Sequence, residues 1–341
     1  MKPPHRKAAG EEKICRECVL PGTFPGISFD DQGICNYCRA DRGREELRQK
    51  KDNYRKKFES LLAAQRGKSG YDGMMSYSGG KDSTFTMQLL KEKYGLNLLA
   101  YTFDNGFLPE ETVRNIRQVT EALGSDHLFF RPDFALLKKV FGECSRRNIY
   151  SDVTLMRASS ICTSCMALVK FSLLRLAVEK RIPFLFFGWS PGQIPIASSI
   201  VKNNPQMVRV MQKAVLDPLS RVAGEGVFRF FLGEEHFEQA AHFPYNVSPL
   251  AFLDYDPDAM VKRVAALGWE RPTGLDAHSS NCLLNSLANV IHREKYGYHP
   301  YVFELAKLVR EGYLERSRAL EKLGKREDPA TVRMVKKKLG L

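Results

Sequence analysis

The chain has 341 residues, 43% hydrophobic and 27% charged, enough for one sizeable core plus a smaller module or for two modest domains. No apolar run approaches the ~20 residues of a membrane span, and Met1–Gly10 is polar with no apolar signal core, so the sequence predicts a cytoplasmic protein with no membrane partner. The net charge of +13 is densest in Arg39–Lys57 and Arg326–Lys338; it suits a polyanion such as tRNA or a phosphorylated small molecule, with a solvated helix face as the equal alternative.

Residues 11–40 form a turn-rich segment punctuated by Pro21, Gly22, Pro25, Gly26 and Gly33. Within it Cys15-x-x-Cys18 and Cys35-x-x-Cys38 bracket sixteen residues. Two such knuckles present four sulfurs to one tetrahedral ion, which predicts structural Zn2+; a redox or iron role is the alternative. So short a segment cannot hold a core alone, so the metal would fold it. Residues 41–70 follow as a helical linker, with a charged helix predicted over Asp41–Gln65.

From residue 71 to 190 the pattern alternates strand and helix. Met74 and Met75 mark a first strand, Leu98–Phe103 a second, Asp126–Phe130 a third and Ile182–Phe187 a fourth. Helices are predicted over Thr84–Tyr94, Glu110–Leu123, Phe134–Arg147 and Met166–Lys180. This alternation predicts an α/β domain with a doubly wound, Rossmann-like parallel sheet, its site at the carboxyl ends of the strands. Residues 191–341 lose the alternation. Helices over Asp256–Leu267, Ser286–Lys295, Tyr301–Glu311 and Leu314–Leu323 make them a mainly helical, substrate-side region.

Ser78-Gly79-Gly80-Lys81-Asp82-Ser83 lies between the first strand and its helix. Such a turn offers bare backbone N–H groups and the positive end of a helix dipole to a phosphate. Gly79 and Gly80 allow close backbone approach, Lys81 can neutralise charge, and Asp82 can hold Mg2+. The loop lacks the four-residue spacing between glycines of the common nucleotide loop. It resembles instead the signature of the PP-loop ATP pyrophosphatase superfamily, the adenine nucleotide α-hydrolase-like enzymes. That resemblance implies ATP as substrate, adenylation of a substrate oxygen, release of pyrophosphate, and displacement of AMP by nitrogen or sulfur, an AMP- and pyrophosphate-forming transferase or ligase. It also implies nucleotide contacts at Asp104 and Gly188. Asp104 ends the second strand, at the ligand edge, where a turn-capping role before Asn105-Gly106 is the alternative. Gly188 opens Gly188-Trp189-Ser190-Pro191-Gly192-Gln193 after the fourth strand.

Cys162-x-x-Cys165 is predicted just ahead of a helix, with Cys282 far downstream in Ser279-Ser280-Asn281-Cys282. The order resembles the iron–sulfur tRNA thiolation enzymes of the same superfamily, in which three thiolates hold a [4Fe–4S] cluster with one iron open; that implies catalytic roles for Lys81, Asp82 and the three cysteines, and a sulfur donor. Three cysteines are too few for a closed four-thiolate site, which fits an open position. A redox or zinc-binding pair plus a buried core cysteine is the competing reading. The segment CRECVLPGTFPGISFDDQGICNYCR, and more loosely Lys295–Tyr298 through Arg316–Ala319, resembles the N-acetyl sugar amidotransferases. Those imply amidation of a nucleotide-linked sugar with ammonia from a glutaminase partner. A nucleic-acid-binding zinc protein that is not an enzyme is a third reading. Cys144 reads as a packed thiol, Lys202 and Arg209 as solvated surface, and His278, His292 and His299 as packing or surface groups in preference to a general base. The oligomeric state is not readable.

Overall fold

The computed structural model describes residues 13–41, 43–275 and 281–341. His278, Ser279 and Ser280 lie outside the described residues, as do Met1–Gly10 and Arg42 of the basic stretch.

After the single turn α1 (Asn36–Arg39), α2 (Arg44–Gln65) runs as a polar strap that buries only Phe58 and Leu62. β1 (Gly73–Ser76), α3 (Lys81–Glu92), β2 (Leu98–Phe103), α4 (Glu110–Ala122), β3 (Asp126–Phe130) and α5 (Phe134–Arg146) follow in alternation. The short α6 (Asp152–Leu155) leads into α7 (Ser160–Glu179) and β4 (Phe184–Phe187). Next come β5 (Ile200–Lys202), α8 (Pro205–Ala223), α9 (Glu234–Phe237) and β6 (Tyr245–Val247). The chain closes on α10 (Pro257–Ala265), α11 (Leu284–Tyr296), α12 (Val302–Arg310), α13 (Arg316–Gly324) and α14 (Pro329–Leu339).

The six strands form one sheet in the order β3-β2-β1-β4-β6-β5, parallel except for β5, which pairs antiparallel to β6. β2 is buried along its whole length, as a strand covered on both faces must be, and its run Leu-Leu-Ala-Tyr-Thr-Phe is correspondingly apolar. Alternation in β1 splits the core. Met74 packs into a cluster with Tyr101, Phe141 and Leu168 on one face, and Met75 into a cluster with Phe58, Ile116 and Phe186 on the other. β5 and β6, unannounced by the sequence, are three residues each; strands that short carry no readable period.

α7 starts six residues before the predicted helix. Ser159 caps it by accepting from the Cys162 N–H, so Cys162 and Cys165 lie inside the first turns, one above the other, rather than ahead of the helix. By length and composition α7 is apolar enough to cross a membrane, contrary to the expectation that no run approaches that length; in the fold it is a core helix packed beside α5 and β4. Cys144 is buried in the same core, its Sγ 3.1 Å from Ser164 Oγ.

The two ends of the chain meet. Phe24 stacks on Phe303 with ring centroids 5.4 Å apart and meets Tyr298 edge-on at 5.3 Å. Arg316, opening α13, donates from Nε to the Cys18 carbonyl and from Nη2 to the Cys15 carbonyl, each at 2.9 Å. Hydrogen bonds from a charged donor contribute about 1.5–3 kcal/mol. Arg316→Ala is therefore expected to free residues 13–40 from the body. Limited proteolysis should cut that segment early while the rest stays resistant; unchanged protection would show that the aromatic contacts hold it alone.

Candidate active site

The sheet's topology reverses at β1, whose neighbours are β2 on one side and β4 on the other. Loops leaving β1 and β4 therefore diverge and open a crevice at their carboxyl ends. The Ser78–Ser83 loop lines it. Gly79 takes φ +74°, and a Cβ there would lie 2.7 Å from Ile116 Cγ1, so only glycine fits against α4. Gly80 caps α3, the Ser78 and Ser83 hydroxyls sit 3.0 Å apart, and Ser83 Oγ donates to the Gly80 carbonyl. Trp269 fixes the loop from the far side, its indole N–H 2.9 Å from the Gly79 carbonyl. At Gly188 a Cβ would fall 2.5 Å from Ser83 Cα, so β4's exit lies flush on the first turn of α3.

Two cavities flank the loop. One, about 570 Å3, is lined by Lys81, Asp82, Tyr255, Trp269 and Glu304 with the cations Arg271, Arg318 and Lys322. Lys81 Nζ and Asp82 Oδ1 are 2.7 Å apart. Burial lowers the Lys322 ammonium, and the nearby Lys81 charge adds to the effect. Glu304 is enclosed: burial pushes its carboxyl up to about 7 against the hydrogen bond it accepts from Ser190 Oγ at 2.8 Å.

The second cavity, about 270 Å3, brings Ser78 together with Cys162, Cys165 and Cys282. Asn105 donates from one amide nitrogen toward two of the sulfurs, Cys282 at 3.3 Å and Cys165 at 3.5 Å, the arrangement a thiolate pair wants. Burial raises the Cys165 thiol well above its ordinary value, and the Cys282 charge raises it further. Cys162 faces Asn285 Oδ1 at 3.6 Å.

The N-terminal cysteines are arranged differently. Cys15, Cys18, Cys35 and Cys38 gather with all sulfurs within 4.8 Å: Cys15 and Cys38 are 3.8 Å apart, Cys18 and Cys35 3.7 Å, and Cys35 and Cys38 3.6 Å. A tetrahedron with metal–sulfur bonds of ~2.3 Å has edges of about 3.8 Å, so this set fits a single ion. Among the described residues no other set of three is so close. Cys162, Cys165 and Cys282 are not gathered to that spacing.

Asp104 is placed elsewhere. Its carboxylate accepts from Arg131 Nε and from the Gly106 N–H, both at 2.8 Å, and it lines a third cavity of about 860 Å3 with Arg114, Arg117 and Lys338. Its neighbour Asn105 reaches the sulfurs instead, a role hidden in sequence by an Asn-Gly pair that reads as a turn. Tyr255, Trp269 and Glu304 were equally unreadable, because distant segments bring them to the loop. Lys202 bonds the Phe243 carbonyl and Arg209 pairs with Glu234. His292 is buried between Tyr296 and Tyr298, and burial lowers it to about 4, which makes it a neutral packing group.

No family model matches the chain. An uncharacterized protein of Methanocaldococcus jannaschii is 22% identical over 282 residues, which cover 82% of this chain and 83% of that protein. Among solved structures, the U34-tRNA thiolase NcsA from Methanococcus maripaludis with its [4Fe-4S] cluster aligns over 91% of this chain and 88% of its own, with 18% identity and a TM-score of 0.35. At that similarity the thiolase's reaction belongs to that protein.

Folded, the Glu304 carboxyl keeps its proton to about pH 7, whereas unfolded it loses it near 4.5. The native state therefore binds more protons between those values, and stability falls as pH rises through them. Glu304→Gln should remove this slope, gaining on wild type by up to about 3 kcal/mol across the window. Urea melts from pH 4.5 to 7 test it; parallel curves would mean that Glu304 is ionised in the fold.

Proposed function

We propose that the protein is an ATP-dependent sulfurtransferase that adenylates a carbonyl oxygen of a phosphate-bearing acceptor, tRNA by class, and replaces that oxygen with sulfur. One observation carries the reading: Ser78 of the phosphate loop lines the same cavity as Cys162, Cys165 and Cys282. Activation and transfer would then occur within one crevice.

The residues divide the work. Ser78–Ser83 and the N-terminus of α3 hold the β- and γ-phosphates of ATP. Lys81 neutralises charge on them and Asp82 is the ligand offered to Mg2+. Arg271, Arg318 and Lys322 face the same cavity and stabilise the departing pyrophosphate. The acceptor oxygen attacks the α-phosphorus, a new O–P bond forms, and the bond to the β-phosphate oxygen breaks. Hydrosulfide then attacks the activated carbon: a C–S bond forms, the C–O bond breaks, AMP leaves with the oxygen and its electron pair, and a proton goes to solvent. Sulfur stays at the sulfide level throughout, so no oxidant or reductant is required.

Cys162, Cys165 and Cys282 would hold a [4Fe–4S] cluster: they share one cavity, are less tightly gathered than the N-terminal set, and two of them accept from Asn105. Such a cluster supplies an iron without a protein ligand at which sulfide can bind. Cys15, Cys18, Cys35 and Cys38 suit Zn2+, which folds residues 13–40 onto the C-terminal helices. The +13 charge, with Arg114, Arg117 and Lys338 beside Asp104, Glu110 and Glu121 around the cavity of about 860 Å3, supports a polyanionic acceptor. Chemistry that consumes ATP fits a cytoplasmic location. Amidation leaves the three thiols without a role; the segments resembling sugar amidotransferases pack on each other largely as one unit.

Protein purified without oxygen should absorb near ~400 nm and carry iron and acid-labile sulfide. Cys282→Ala should lose both and keep its zinc, whereas Cys38→Ser should lose zinc first. Colourless wild-type protein without labile sulfide would contradict the cluster, and no pyrophosphate from ATP with any acceptor RNA would contradict enzymatic activation.

A further inference from the structure

A second cavity opens on the other side of Cys162. It measures about 420 Å3 and is formed where the N-terminus of α7 meets α11 and α12, with Arg157, Ser159, Thr163, Asn289 and Glu304 among its walls. Cys162, Trp189 and Tyr301 border both this cavity and the one containing Ser78.

Three features give it the character of an anion site. α7 is twenty residues long, and its positive dipole end faces the space. Asn289 is 1% exposed, and its side-chain Nδ2, a donor, has no partner within the protein; the Thr163 hydroxyl is likewise buried and unpartnered. A buried donor left unmade costs about 1–3 kcal/mol, so an unsatisfied pair in one cavity calls for a ligand. Arg157, exposed at the wall of the cavity, adds a cation. Its guanidinium lies 4.0 Å over the Phe303 ring, and among the described residues no carboxylate comes within ion-pair distance of it. Glu304 is the one acidic wall residue; it already accepts from Ser190, and burial favours its neutral form.

We infer that this cavity binds a small sulfur-bearing anion of the hydrosulfide class and is the donor side of the site, Arg157 and Asn289 holding the anion next to Cys162. The inference rests on the sulfur-transfer reading and adds to it the cavity and the residues that hold the donor. The adenylated acceptor occupies the Ser78 side and the donor enters from the α7 side, so the two substrates do not compete for one entrance. Hydrosulfide brings sulfur already reduced, and the transfer balances as written above.

Iodide, a soft monovalent anion that gives an anomalous signal, is the probe. Crystals of anaerobically purified holoprotein soaked in sodium iodide should show an anomalous peak at the start of α7. Arg157→Met, which keeps an apolar stem over Phe303, and Asn289→Leu, which removes an unpartnered donor, should each abolish that peak at unchanged iron content and undiminished melting temperature. Each should also raise the KM for sulfide by about tenfold, the loss of one charge-assisted contact. A peak that persists in both variants marks an adventitious ion only and overturns the inference. So does a holoprotein with full iron, an empty cavity and an unmoved KM, which leaves the sulfur-transfer reading standing. Iodide bound in a protein that never carries iron or labile sulfide overturns the sulfur-transfer reading itself and, with it, the assignment of a sulfur donor to this cavity.

Discussion

The parallel pairing of β1 with β4 is the constraint on which the site depends. Met74, Met75 and Ser76 pair with Leu185, Phe186 and Phe187, more than a hundred residues away. The helix feeding a parallel strand runs antiparallel to it, so α7 delivers its N-terminus to the carboxyl edge, where β1 ends. One pairing thereby carries Cys162 and Cys165 to the Ser78 loop. Gly188 makes the approach tight: its bare backbone rests on Ser83, and any side chain there would push α3 off the strand. Asn105, at the end of β2, joins the same edge by the same logic.

Much of this was legible in the sequence. β2 spans its apolar run, β3 has the bounds Asp126–Phe130 expected from the sequence, and α4 follows its Thr112, Ile116, Val119 and Thr120 stripe. The Ser78–Ser83 turn between β1 and α3 was readable because its residues are consecutive and its glycines are local signals. What could not be read is what rests on long-range contact. β5 and β6 take their strand character from the neighbours they pair with. The start of α7 turns on a single cap, Ser159. Glu304 and Trp269 reach the loop from segments some two hundred residues downstream. Residues 13–40 dock on α12 and α13 through aromatic packing that no periodicity announces.

The two cysteine sets show how one residue type in one spacing serves different ends. Both use CxxC, yet the N-terminal knuckles close to single-ion separations while the central pair, on a helix, holds its partner Cys282 at a wider reach. Backbone sets the difference. Turns let paired knuckles fold over one centre, whereas helical residues are held a turn apart. Cys162, Cys165 and Cys282 line the cavity that Ser78 also lines.

The most direct test of sulfur transfer follows the atom itself. Holoprotein incubated without oxygen with ATP, Mg2+, labelled sulfide, ammonium and bulk tRNA should place label in the RNA, with one pyrophosphate and one AMP formed per sulfur. Stoichiometric pyrophosphate with ammonia nitrogen in the acceptor, and no sulfur, would contradict the account.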